Sequence, residues 1–180
     1  MKSMTNAAST RDKRAALHEA SHAVAAWRIG YRVSFVELTE DGGSTGHDPG
    51  CDPLAIGIVT AAGHAADVKW NGMQREHITV DDHLTLVALG FRGRSLASVL
   101  GMARGLVEVY AEDIQRVAKE LECRDLGYDD MVELLGECEL AEDVPKTRFA
   151  ALRLVVWLWF IRTLSNPTTN ATFISGPVYR

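Results

Sequence analysis

Apolar positions recur at helical spacing along most of this chain and alternate in only one short stretch. Ala16, Leu17, Ala20, Val24 and Trp27 fall three or four residues apart, the period of a helix with one buried face. Gly30 is a natural stop for that helix, and Ser9 with Asp12 resembles a capping box ahead of it. Residues 56–70 are alanine-rich, with small side chains spaced so that another helix can approach closely, and Asn71-Gly72 ends the run. Thr79 is expected to cap a third start at Val80-Asp81-Asp82, which Leu84, Leu86, Val87, Ala88, Leu89 and Phe91 follow, with Gly90 and Gly93 suggesting a break. From Ser95 one long amphipathic helix is expected to run to about Leu121, through Val99, Met102, Leu106, Val109, Ile114 and Val117. Shorter helices are predicted over residues 128–135 and 149–164, and Asn166-Pro167 stops the last one.

The alternating stretch is 32–38, where Val33, Phe35, Val36 and Leu38 give an imperfect strand pattern rich in β-formers. Gly42, Gly43 and Gly46 make residues 40–46 read as a turn or flexible loop, which continues through His47 to Pro53. The pattern therefore predicts a mainly helical α+β domain with a small β-ribbon beside the first helix. Neither a repeat nor a low-complexity linker divides it, so residues 1–180 are expected to form one domain.

Charge and cysteine content narrow the function classes. A net charge of -5 argues against nucleic acid as the main partner. Cys51, Cys123 and Cys138 are odd in number and form no C-x-x-C pair, so neither a disulfide framework nor a thiolate zinc site is indicated. Residues 1–14 are polar and lack the apolar segment of a secretory signal. The longest apolar run, 149–164, is interrupted by Arg153 and Arg162 and falls short of the roughly 20 residues a membrane span needs. A cytoplasmic protein is expected, with the C-terminal helices as a possible surface for a partner protein or a second copy.

The chemistry concentrates in His18-Glu19-Ala20-Ser21-His22. Two histidines four apart on a helix project from one face and can bind one metal ion, while the glutamate after the first can reach a water held there. Zinc lowers the pKa of bound water from ~15.7 towards ~7, and a carboxylate can then take the proton as that water attacks a carbonyl carbon. A third protein ligand is needed. Ala25 stands where the metzincin extension has glycine, and no third histidine follows at the required spacing. Glu37 and Glu40 lie on the presumed strand and turn. Asp81 and Asp82 open a helix that can fold back onto the first, and either carboxylate can serve. His47 reads as a solvated loop residue and His64 as a core or rim histidine.

The order of these motifs resembles the peptidase domain of the FtsH-type AAA+ zinc proteases, over about residues 11–121. That family's His-Glu-Ala-Gly-His-Ala is matched by residues 18–23, with Ser21 in place of the glycine. A strand and Gly-rich turn follow, and then a Gly-Gly-Arg-Ala-Ala-Glu helix similar to Ala62-Gly63-His64-Ala65-Ala66-Asp67. The family's third ligand is an aspartate at a helix start. The resemblance thus implies His18, His22 and Asp82 as zinc ligands, with Asp81 as the alternative, and Glu19 as the base. No ATPase domain, P-loop or membrane anchor accompanies it here, and residues 122–164 would be a helical extension followed by a tail at 165–180. The expected activity is ATP-independent, zinc-dependent hydrolysis of flexible or unfolded polypeptides. Val33, Phe35, Val36 and Leu38 are expected to offer a strand edge on which an extended substrate pairs. Two rival readings are a catalytically idle zinc-binding relative that acts as an interaction module, and an intracellular H-E-x-x-H protease of the repressor-cleaving kind.

Overall fold

The computed structural model describes residues 12–138 apart from 41, 49, 51 and 75–77; Ser9, Cys51 and the helix expected over 149–164 lie outside the described residues. Helix α1 (Lys13–Ile29) starts at Asp12, whose carboxylate accepts from the Arg14 amide at 2.8 Å. Asp12 is thus the cap itself, a correction to the expected box in which it would lie inside the first turn. Its extended backbone aims a short acidic side chain at the unpaired amides of that turn. At the other end Gly30 takes a φ of 97°, which a side chain would strain, and its amide closes onto the Ala26 and Trp27 carbonyls.

Most of α1 is buried, because helices lie against it on one side and a sheet on another. Helix α2 (Pro53–Trp70) packs along α1, and Ala61, Ala62, Gly63, Ala65 and Ala66 give it the narrow surface that close approach needs. Helix α3 (Val80–Ala88) is short and buries Leu86 alone. The single helix expected from residue 95 to about 121 is instead two, α4 (Gly93–Val109) and α5 (Ala111–Leu121), with Tyr110 between them at φ −106° and ψ 25°. Arg28 of α1 anchors that corner: its guanidinium lies 5.3 Å over the Tyr110 ring and binds the Asp113 carboxylate at 2.6 Å. The break lets α4 pack on α2 while α5 turns to pack on α1. Helix α6 (Tyr128–Leu135) closes the described chain near the end of α1, where the Trp27 indole donates to the Gly136 carbonyl at 3.1 Å.

The mainly helical α+β fold expected from the sequence is what the chain adopts, and its small β-element is a sheet of three antiparallel strands. Strands β1 (Val33–Thr39), β2 (Gly42–His47) and β3 (Leu126–Gly127) are ordered β2-β1-β3. Residues 42–47, read from sequence as part of a flexible loop, pair with β1 from Val33↔His47 to Thr39↔Gly42. Their glycines serve close approach: a Cβ on Gly43 would collide with the Glu19 side chain, and one on Gly46 with the Phe35 ring. Backbone pairing supplies the order that their side chains cannot.

This topology corrects the expected substrate edge. One side of β1 is taken by β2 and the other by β3, through Phe35↔Gly127 and Val36↔Leu126, while the Leu38 amide donates to Asp125. Val33 and Val36 are fully buried. Val33, Phe35, Val36 and Leu38 therefore offer no open strand edge. Among the described residues the open edges belong to β2 and to the two-residue β3, and of the two only β2 is long enough to pair with an extended segment. No helix among them is long and apolar enough to cross a membrane.

Candidate metal centre

His18 and His22 lie one turn apart on the face of α1 that meets α2, and α2 presents Val59, Gly63 and Asp67 to them, each four residues from the next. The three residues do different things. Asp67 Oδ2 accepts from His18 Nδ1 at 2.8 Å, and the Val59 carbonyl accepts from His22 Nδ1 at 2.8 Å. Gly63 makes room, since a Cβ there would collide with Nε2 of both rings. Asp67 is itself held: its Oδ1 accepts from the Asn71 side-chain Nδ2 at 2.7 Å.

These partners fix the tautomers. Each Nδ1 donates to an oxygen that carries no hydrogen, so in the neutral rings both Nε2 lone pairs are free. They face each other at 3.0 Å. Two lone pairs at that separation repel unless a cation lies between them. Asp82, from the first turn of α3, brings the matching negative charge: Oδ2 is 3.5 Å from His18 Nε2 and Oδ1 is 3.7 Å from His22 Nε2. Its Oδ2 is buried without a hydrogen-bond partner.

The three residues could hold a metal ion. Donors on a tetrahedral zinc with arms of ~2.0–2.1 Å lie about 3.3 Å apart. The two Nε2 atoms, 3.0 Å apart, are a little closer than that, and the Asp82 oxygen facing each ring, Oδ2 at 3.5 Å from His18 and Oδ1 at 3.7 Å from His22, is a little farther. Two imidazoles held by a carboxylate and a carbonyl behind them, a buried carboxylate oxygen without a hydrogen-bond partner and a glycine that lets both rings approach are together a donor set that could hold a divalent cation. Among the described residues no other group of three His, Cys, Asp or Glu side chains converges in this way.

Without a metal, a proton takes the cation's part. Burial alone would lower the His18 pKa, but the bonds and charges of Asp67 and Asp82 outweigh it and push the ring up to about 10. Burial would likewise raise the Asp82 carboxyl. Contact with His18, attraction to both imidazoles and the Thr79 hydroxyl instead bring it below the ordinary carboxylate range.

Glu19 follows His18 but faces the sheet. It is 8% exposed, and its Oε2 accepts from the Thr45 hydroxyl of β2 at 2.8 Å. Of the two aspartates left open by the sequence, Asp82 joins the histidines while Asp81 is exposed. Glu37 and Glu40 are exposed and stand outside the donor group. His47 stacks on Tyr31, and His64 is buried within α2; neither belongs to it. Sequence reasoning assigned no role to Val59, Gly63, Asp67 or Thr45. Gly63 and Asp67 lay within the 62–67 motif that resembles the family helix, which was the available signal for them, whereas a backbone carbonyl such as that of Val59 leaves no mark in a sequence. No known family model matches the chain, and no curated protein matches it either.

Proposed function

We propose that this protein is an ATP-independent zinc peptidase acting on flexible or unfolded polypeptides, with His18, His22 and Asp82 as the metal ligands and Glu19 as the general base. The observation that carries this reading is the convergence of two imidazole Nε2 atoms on α1 with a buried Asp82 oxygen that has no hydrogen-bond partner, beside Glu19, whose carboxylate the sheet holds. The order of motifs that resembles the FtsH-type peptidase domain supports the same assignment, and a cytoplasmic setting suits it.

A zinc ion bound there supplies Lewis acidity towards the scissile carbonyl and a water of lowered pKa. The chain's own residues do the rest. Asp67 and the Val59 carbonyl keep both imidazoles turned with Nε2 towards the ion. Glu19 takes a proton as water attacks the carbonyl carbon and hands it to the leaving amine. The open edge of β2 aligns an extended chain by backbone pairing, which gives affinity with little side-chain selectivity and requires an unfolded segment.

The test joins elemental analysis with digestion of an unstructured peptide. Wild type is expected to carry one zinc per chain and to hydrolyse the peptide, and Glu19→Gln to keep the zinc and lose turnover. Wild-type turnover in Glu19→Gln would refute the mechanism. Bound zinc with no hydrolysis in wild type would instead favour an idle descendant that acts as an interaction module.

A further inference from the structure

Strand β2 touches Glu19 at two positions, Gly43 and Thr45. They are two residues apart, so both face the same side of the strand. Gly43 yields space: a Cβ there would collide with the Glu19 Cγ and lie 3.0 Å from its carboxyl carbon. Thr45 supplies a donor, with its hydroxyl 2.8 Å from Glu19 Oε2 and 3.1 Å from the Glu19 main-chain carbonyl. Position 45 is itself fixed by pairing with the fully buried Val36 on the central strand. No hydrogen bond among the described residues reaches the other oxygen, Oε1.

We propose that Thr45 is the positioning residue of the base: its hydroxyl pins Glu19 by Oε2 and leaves Oε1 as the oxygen that accepts the proton from the attacking water. This rests on the peptidase reading and deepens it. A long, unbranched glutamate has three side-chain torsions, and proton transfer needs one arrangement of them within hydrogen-bond reach. Fastening one oxygen removes most of that freedom before substrate arrives. Having a single proton, the hydroxyl bonds one acceptor at a time. The Glu19 main-chain carbonyl is already inside α1, so the carboxylate, as the charged acceptor, takes it.

The test compares Thr45→Val, which keeps the branched shape and removes the hydroxyl, with Thr45→Ser, which keeps the hydroxyl. Zinc content, melting temperature, kcat and KM for an unstructured peptide are measured alongside wild type and Glu19→Gln. Thr45→Val is expected to keep its zinc and its KM while kcat falls about 10- to 100-fold. Thr45→Ser is expected to recover kcat to within a few-fold of wild type. If Thr45→Val does not fold, Thr45→Ala carries the same comparison. Wild-type kcat in a variant without the hydroxyl, beside an inactive Glu19→Gln, overturns the role of Thr45 and leaves the peptidase reading standing. A rise in KM alone, a loss of zinc, or a failure of serine to rescue overturns it too, because each assigns Thr45 a structural part. Absent hydrolysis in wild type, or full activity in Glu19→Gln, overturns the peptidase reading, and the Thr45 role falls with it.

Discussion

His18 and His22 stand on a helix that is buried over most of its length, whereas Asp82 comes from α3, where Leu86 alone is buried. On the histidine side every element of the geometry is held twice. The rings project from a core helix, and an acceptor on a second core helix fixes each Nδ1. On the aspartate side the support is thin. Thr79 at the start of α3 makes no side-chain bond to its open amides, and Val80 and Leu84 face solvent at 73% and 60% exposure. The difference teaches where the free energy of a bound ion would go. In the proposed site two ligands would be prepared by folding, and the third would be delivered by a helix that a bound ion would help to fasten, since binding free energy in such a site is also folding free energy.

The largest effect is expected from breaking the rigid half. His22→Ala should abolish stoichiometric zinc binding, whereas Asp82→Asn should weaken it by a smaller factor and Asp81→Asn should leave it unchanged. Competition with a chromogenic chelator ranks the three, and wild-type affinity in Asp82→Asn would remove Asp82 from the ligand set. Gly63→Ala should come next. Alanine favours the helix by about 1 kcal/mol over glycine, but the added methyl takes the place of the two Nε2 atoms. Affinity should fall by more than about tenfold with helical circular dichroism intact; unaltered affinity would mean that α1 and α2 can move apart freely.

A milder change sharpens the same contrast. Asp67→Asn keeps the shape of the partner behind His18 and removes its charge, so zinc affinity should fall about 10- to 100-fold. The smallest effect is a slope in pH. His18 in the metal-free protein titrates at about 10 against an ordinary 6.5. Stability from its charged form is fully present below 6.5 and is lost as pH rises through 10. The melting temperature of chelator-treated wild type should therefore decline across that window, with a shallower decline in Asp67→Asn. Parallel slopes in the two proteins would show that Asp67 does not hold the proton on His18.

Much of this arrangement was legible in the chain because local chemistry determined it. The His18, Glu19, His22 spacing needs only a helix, and Gly30 and Asn71 end α1 and α2 as their residue types predict. Asp82 was approachable because acids belong at a helix start, and the register of the family resemblance favoured it over Asp81, although residue types and spacing alone left both open. Other features were set by partners distant in sequence. Strand β2 has no β-former run and is ordered by hydrogen bonds to β1, so nothing in Gly-Gly-Ser-Thr-Gly-His announces a strand. The corner at Tyr110 comes from Arg28, more than eighty positions earlier, and the amphipathic pattern runs through it uninterrupted. The misplaced substrate edge has the same origin, since a two-residue strand such as Leu126–Gly127 is too short to leave a periodic signal.

The open side of β2 has a second consequence, for the solution behaviour of the protein. An unpaired strand edge is a template for any extended chain, including another copy of the same protein. Here the template is made poor: three of its six positions are glycine, which pairs weakly and offers no side chain for a neighbour to pack on. Such a strand can hold a passing segment without keeping it, and two molecules meeting edge to edge gain little. Valine in place of the exposed Ser44 would raise that gain and should shift the protein towards dimers in sedimentation at high concentration. An unshifted boundary would indicate that this edge is covered. Weak self-adhesion would then be part of what keeps the edge available to other chains.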